Sequence, residues 1–194
     1  MKNLDTLIHD IYTVLDGLNS DKGVDIPEEL MEEFLVNARE ALEGWSTPHL
    51  QSKTVRMSNV GRPLRRVWYD MQDTPLTKER MQPSTFIKFL YGHLLESVAI
   101  LLIKLSGHTV TDMQKEVEVD GIKGHMDCKI DGEVVDIKTA SNFSFKKFSS
   151  GALVDDDPFG YMAQLAGYEE AEGTEYGGFF AINKETGEIC LFRP

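Results

Sequence analysis

The chain has 194 residues, a formal net charge of −12 and a hydrophobic fraction of 41%, enough for one domain with a real core and too little for two full domains. Cys128 and Cys190 are its two cysteines, too few for a disulfide framework or a four-thiolate iron–sulfur cluster. No uninterrupted apolar run approaches the ~20 residues of a membrane span, and acids interrupt the opening MKNLDTLIHDIYTVLDGL, unlike a signal peptide. The expected location is cytoplasmic, with no membrane partner.

Leu4, Leu7, Ile8, Ile11, Tyr12, Leu15 and Leu18 recur at helical spacing until Gly17 and Asn19-Ser20 end the run. Pro27 suits the first turn of a second helix with Leu30, Phe34, Leu35, Ala38, Leu42 and Trp45 as its apolar stripe. These helices form an expected N-terminal extension over residues 1–50, a packing element or lid, and residues 51–194 form the main domain. Residues 1–49 carry 3 basic against 11 acidic groups, residues 50–90 carry 8 against 3, and residues 91–194 carry 9 against 18. The basic charge is thus concentrated in one stretch, and the overall acidity does not exclude a nucleic-acid partner. In that stretch Arg56, Arg62, Arg65 and Arg66 interleave with Trp68 and Tyr69. Guanidinium forks match phosphate oxygens; the alternative is a surface helix whose arginines pair with the acidic N-terminal half.

Pro83 and Ser84 open a long helix closed by Gly107 after Ser106. Its expected main stripe is Ile87, Leu90, Leu94, Val98, Leu101, Leu102 and Leu105. Glu96 falls among Phe89, Ile100 and Ile103 on a second apolar flank, so its charge needs a partner, either a metal or a base such as Lys104. His93 stands one turn earlier. The segment QKEVEVDG alternates as a strand that leads into a hairpin.

That hairpin is GHMDCKIDGEVVDIKTAS, from Gly124 to Ser141. Asp131-Gly132 is a type I′ turn signal, which pairs Ile130 with Glu133 and sets Asp127 opposite Asp136. By strand period, Met126, Cys128, Ile130, Val135 and Ile137 take the core face. His125, Asp127, Lys129, Val134, Asp136 and Lys138 take the other, with His125 across from Lys138. Two carboxylates so paired repel unless a cation lies between them; a surface hairpin bridged by Lys129 and Lys138 is the alternative. The loop TASNFSFKKFSSG at the open end of the strand would offer Ser141, Lys146 and Lys147 to a nucleic-acid strand. Pro158 begins another helix, placing Gln164 and Tyr168 on one face at i, i+4. The terminal YGGFFAINKETGEICLFRP reads as two strands joined by Lys184 to Gly187.

Glu96, then Gly-His-x-Asp ending at Asp127, then Asp136-x-Lys138, resembles the core of the PD-(D/E)XK nuclease superfamily. Gln164-x-x-x-Tyr168 resembles the Q-x-x-x-Y motif of its RecB-type and lambda-exonuclease-like branch, with small phage-encoded exonucleases nearest. The resemblance covers roughly residues 53–194. It implies an α/β, restriction-endonuclease-like core, a mixed central β-sheet flanked by helices. It also implies a Mg²⁺- or Mn²⁺-dependent deoxyribonuclease degrading linear duplex DNA from a free end, 5′ to 3′, for phage recombination or host DNA degradation. Asp127, Asp136, Glu96 and the Ile137 carbonyl would hold the metal, Lys138 would serve the attacking water, and Gln164 and Tyr168 would orient the backbone or the catalytic groups. Arg56, Ser58 and Arg65 match an R-x-S…R segment and would contact DNA, as would Ser141 and Lys146. A single-strand annealing or recombination protein is the implied partner, and an oligomer is allowed. The rivals are an endonuclease or junction resolvase on the same fold, and a non-catalytic DNA-binding module.

Overall fold

The computed structural model describes residues 2–47, 54–72 and 81–194, so the expected boundary at residues 50–51 lies outside the described residues. In chain order these residues form helices α1 (Leu7–Asp16), α2 (Glu28–Ser46), α3 (Leu64–Met71) and α4 (Pro83–Leu105). Strands β1 (Val110–Thr111), β2 (Lys115–Val119), β3 (Ile122–Met126), β4 (Cys128–Ile130) and β5 (Glu133–Ala140) follow. Helices α5 (Asn142–Ser150) and α6 (Tyr161–Glu172) and strands β6 (Gly177–Asn183) and β7 (Ile189–Phe192) complete the fold.

Five strands make one sheet in the order β1-β4-β5-β6-β7, with β5 and β6 parallel and the other neighbours antiparallel. Because β5 alternates its side chains, Val135 and Ile137 reach one layer, where Leu4, Leu7, Ile11, Ala99, Ile100 and Ile103 cover them. Val134 reaches the other, where Phe145, Phe148, Leu165 and Tyr168 pack with Phe179 and Ala181. The fold is therefore α/β, a mixed central sheet with helices on both faces, as burial of a parallel pair requires. This corrects the expectation of one core face and one open chemical face: Val134 and Asp136 are 0% and 1% exposed.

The hairpin turn forms as its sequence dictates. Asp131 and Gly132 have φ of +51° and +91°, and Ile130 pairs with Glu133. Asp120-Gly121 repeats the device at +50° and +80°, joining β2 to β3 as a separate two-stranded sheet. By alternation alone this second Asp-Gly ends a lone strand; in the structure it turns a second hairpin. His125 consequently lies across from Glu116 and not from Lys138. The strand also breaks at Asp127, between β3 and β4, so Met126 rotates into the layer of α6 and away from Cys128 and Ile130.

Helix α4 begins at Pro83 and ends before Gly107, whose φ of +85° suits the αL exit of a helix. Its buried residues are Ser97, Ala99, Ile100 and Ile103, so the expected flank is the core face, while Ile87 is 49% exposed. The helix is apolar nearly all round, with α2 on one side and the sheet on the other, and periodicity alone picks the wrong stripe. By length and composition α4 could cross a membrane; its C-terminal half, from Ser97 to Ile103, packs into the core. The stripe expected on α2 is likewise only half used, since Leu35 and Leu42 stay exposed.

Two loop expectations also change. Residues 142–150 are helical, capped by the Ser141 hydroxyl, which accepts from the Ser144 N–H. Helix α6 starts at Tyr161 instead of Pro158, because Gly160 takes φ +78° and the Asp157 carboxylate accepts from the N–H groups of Gly160 and Met162.

The first helix is tied to the hairpin turn by a buried ring. His108 places Nδ1 2.6 Å from Asp131 Oδ2 and Nε2 3.0 Å from Asp10 Oδ2. The Lys2 ammonium, hydrogen-bonded to Asp10 at 2.8 Å, holds that carboxyl down to about 2. A carboxylate depressed from 3.8 contributes stability above its ordinary range and loses it as pH falls through about 2. Asp10→Asn should therefore melt below the wild type near neutrality, and the gap should narrow between about pH 4 and pH 2 in paired thermal scans.

Candidate functional site

Asp136 and Lys138 leave β5 on the same side, two residues apart, and enter the layer capped by α6. Lys138 Nζ pairs with Asp136 Oδ2, donates to Gln164 Oε1 at 3.3 Å, and lies 4.6 Å from the centre of the Tyr161 ring. Gln164 Nε2 donates to the Tyr168 hydroxyl at 2.9 Å, which donates to the His125 carbonyl at 2.8 Å. Buried polar groups must be satisfied, and this chain satisfies Gln164 and Tyr168 by tying β3, α6 and β5 together. It does not complete Asp136, whose Oδ2 makes an ion pair without hydrogen-bond geometry and accepts from no donor among the described residues.

Asp127 approaches from the strand break. Its Oδ2 accepts from the Ile137 N–H at 2.7 Å. In an unbroken antiparallel ladder that N–H would serve the strand opposite; here a side chain takes the place of the missing rung. Glu96 enters from α4, where Oε1 accepts from Gln114 Nε2 at 2.8 Å, and the Gln114 N–H in turn donates to the Asp127 carbonyl at 3.0 Å. Glu96 and Asp127 open into a cleft of about 610 Å³ lined also by His93, Asn37 and Glu40. The N-terminal helix α2 is thus one wall of this cleft.

The electrostatics follow from crowding. Burial, then repulsion from Asp136 and Glu96, pushes Asp127 well above the usual carboxylate range. Burial and Asp136 likewise raise Glu96 against the opposing hydrogen bond from Gln114. Burial pulls the Lys138 ammonium down, but Asp136 and Asp127 together hold it above its ordinary value. Burial pushes the Tyr168 phenol up to about 12. Among the described residues no three His, Cys, Asp or Glu side chains are gathered closely enough to hold an ion. The carboxylates are near enough to repel, with Lys138 paired to Asp136, the Ile137 N–H on Asp127 and Gln114 on Glu96.

Arg56 and Ser58 are exposed at a 3-10 turn, Met57–Asn59, and Arg65 is exposed on α3. Glycine contacts dock this segment on α6 and β3: a Cβ at Gly61 would lie 2.4 Å from Gly160 Cα, one at Gly167 would lie 2.5 Å from Met57 Sδ, and one at Gly124 would lie 2.6 Å from Met57 Cβ. Lys146 is exposed on α5, while Ser141 serves as the cap of that helix. Ion pairing with the acidic N-terminal half does not occur for Arg56, Arg62, Arg65 or Arg66 among the described residues. Sequence reasoning missed Tyr161 and Gln114. Tyr161 stands three residues before Gln164, on the face that carries Gln164 and Tyr168, and that spacing could have found it. Gln114, reached through a left-handed turn at φ +51°, left no such signal.

No family model matches the chain, and no curated protein matches it. Among solved structures it is similar to one described as "Crystal structure of SSO0001", at 22% identity and a TM-score of 0.45, covering 82% of this chain and 75% of that one. A likeness of that size says nothing of activity.

Tyr168→Phe tests the linked hydrogen bonds. It removes a buried hydroxyl and leaves Gln164 short of an acceptor and the His125 carbonyl short of a donor, a loss of about 1–3 kcal/mol in urea unfolding.

Proposed function

We propose that this chain is a Mg²⁺- or Mn²⁺-dependent deoxyribonuclease of PD-(D/E)XK type on a restriction-endonuclease-like core, acting on linear DNA from a free end. The observation that carries the reading is Asp136: a carboxylate 1% exposed whose Oδ2 has the Lys138 ammonium as its one partner among the described residues, with Asp127 and Glu96 near enough for the three to repel. A fold gains nothing from burying that arrangement without a further positive charge. Asp127 and Asp136 would hold the cation, a pair of oxygen donors suited to a hard divalent ion; Glu96 and the Ile137 carbonyl would join them only on a closing of the site, since the three carboxylates are not gathered closely enough here.

Such an ion supplies Lewis-acid charge to a bound phosphodiester. The chain supplies the rest. Lys138 positions the water that attacks phosphorus in line as the opposite ester oxygen leaves. Gln164 holds the Lys138 ammonium, Tyr168 holds Gln164, and the Tyr161 ring covers the ammonium from the side. Arg56, Ser58 and Arg65 grip phosphate oxygens, most strongly at a 5′-phosphorylated end, where an extra negative charge rewards charge-assisted hydrogen bonds.

Mg²⁺ should raise the melting temperature by mass action, and Asp136→Asn should abolish both that shift and cleavage. An active Asp136→Asn protein would end the metal assignment. Lys138→Ala should keep the Mg²⁺ shift while losing about 10²-fold or more in rate on end-labelled linear duplex. Covalently closed circles should resist the wild type; equal cutting of circles and linear DNA would replace the exonuclease with an endonuclease on the same site.

A further inference from the structure

Helix α3 buries one residue. Val67 is 7% exposed and anchors it, whereas Leu64, Trp68 and Tyr69 are 85%, 55% and 41% exposed. An exposed tryptophan beside an exposed tyrosine, on eight residues that also carry Arg65 and Arg66, is a poor solution for a surface that touches only water. The rings are ordered against each other, with centroids 4.9 Å apart at 77°, and the Arg65 guanidinium lies 5.8 Å from the centre of Tyr69.

The position of this surface gives it meaning. The loop before α3 meets the start of α6 at Gly61 and Gly160, so closely that neither glycine has room for a Cβ. Next to Gly160, Phe159 is 51% exposed and stacks on Tyr161 at 5.4 Å and 23°. Tyr161 lies against Lys138, and Arg62 acts on Tyr161 electrostatically. Aromatic rings with arginines beside them thus lie on both sides of the Gly61–Gly160 junction, one pair on α3 and the other over the buried ammonium. Rings accept the face of any base, and guanidiniums accept the phosphates that accompany them; that combination recognises single-stranded nucleic acid and has no use for bases hidden in a duplex.

We infer that the exposed face of α3 is a stacking platform for unpaired bases, over which one DNA strand passes on its way to Lys138. The direction of that path rests on the nuclease reading; the platform itself does not. The substrate it defines is a separated strand, either a single-stranded tail or the frayed end of a duplex.

Fluorescence anisotropy tests this with wild-type protein in EDTA, so that nothing is cut, using a labelled 20-nucleotide oligo-dT and a blunt duplex of the same length. The single strand should bind at least about tenfold more tightly, and Trp68→Ala with Tyr69→Ala should weaken it about 10- to 100-fold while changing duplex binding little. Trp68→Phe should retain most of the affinity, which separates loss of stacking from loss of fold, and circular dichroism checks the double variant directly. Equal affinity for the two DNAs, or single-strand binding indifferent to both substitutions, would overturn the platform. Tight, Trp68-dependent binding by a wild type that cuts no DNA with Mg²⁺ or Mn²⁺ would keep the platform and dispose of the nuclease.

Discussion

Carrying an aspartate and a lysine two positions apart through the covered face of a sheet is the constraint around which this molecule is arranged. Each charge alone would cost several kcal/mol in such a place. Together they offset part of that cost, and the surroundings are recruited to lower the remainder. Gln164 holds the ammonium, and Tyr168 holds Gln164. The break at Asp127 lets a third charged group reach the Ile137 N–H. Helix α6 carries polar residues inward, so that Gln164 and Tyr168 are buried, and near its end Glu172 is covered and bridges Lys115 and Lys129 while Glu170 faces outward. An apolar replacement of Asp136 and Lys138 would suit stability better; keeping them is the mark of a site.

What is legible in the sequence divides from what is not along a physical line. Backbone punctuation is legible because it acts locally: Pro83 and Gly107 bound α4, and Asp131-Gly132 turns the hairpin, whatever surrounds them. The candidate residues are legible because their identities are unusual where they stand. The faces are not. Which side of α4 is buried depends on α1, α2 and the sheet arriving from distant parts of the chain, and the sequence of α4 is apolar enough to accept either answer. The turn of Met126 into the second layer depends on β3 leaving the ladder for β2, a choice made by tertiary pairing and not by alternation. The late start of α6 is written in Asp157 and Gly160, but a proline three residues ahead is the louder signal.

The basic segment shows how a local sequence acquires function from contact. Arg56 to Arg66 would be a solvated stretch on any surface. Gly61 against Gly160, and Met57 against Gly124 and Gly167, place it beside β3 and beside α6, whose Gln164 and Tyr161 reach Lys138. At Gly61 and Gly160 glycine matters for close approach: the two backbones are near enough that a single methyl group on either would force them apart, while at Gly124 and Gly167 it is the Met57 side chain that fills the space.

The parallel pairing of β5 with β6 has a consequence for when the site exists. Between these strands the chain must complete α5 and α6 before β6 can pair. A crossover of that length closes late, since its loop entropy is spent before any strand contact repays it. Until then β5 has an open edge on the side where β6 will lie. In the folded chain β6 pairs along Asp136 and Lys138, and α6 covers them with Gln164 and Tyr161. A chain that stops short of β6 therefore lacks the strand that pairs with β5 along Val134 to Ala140.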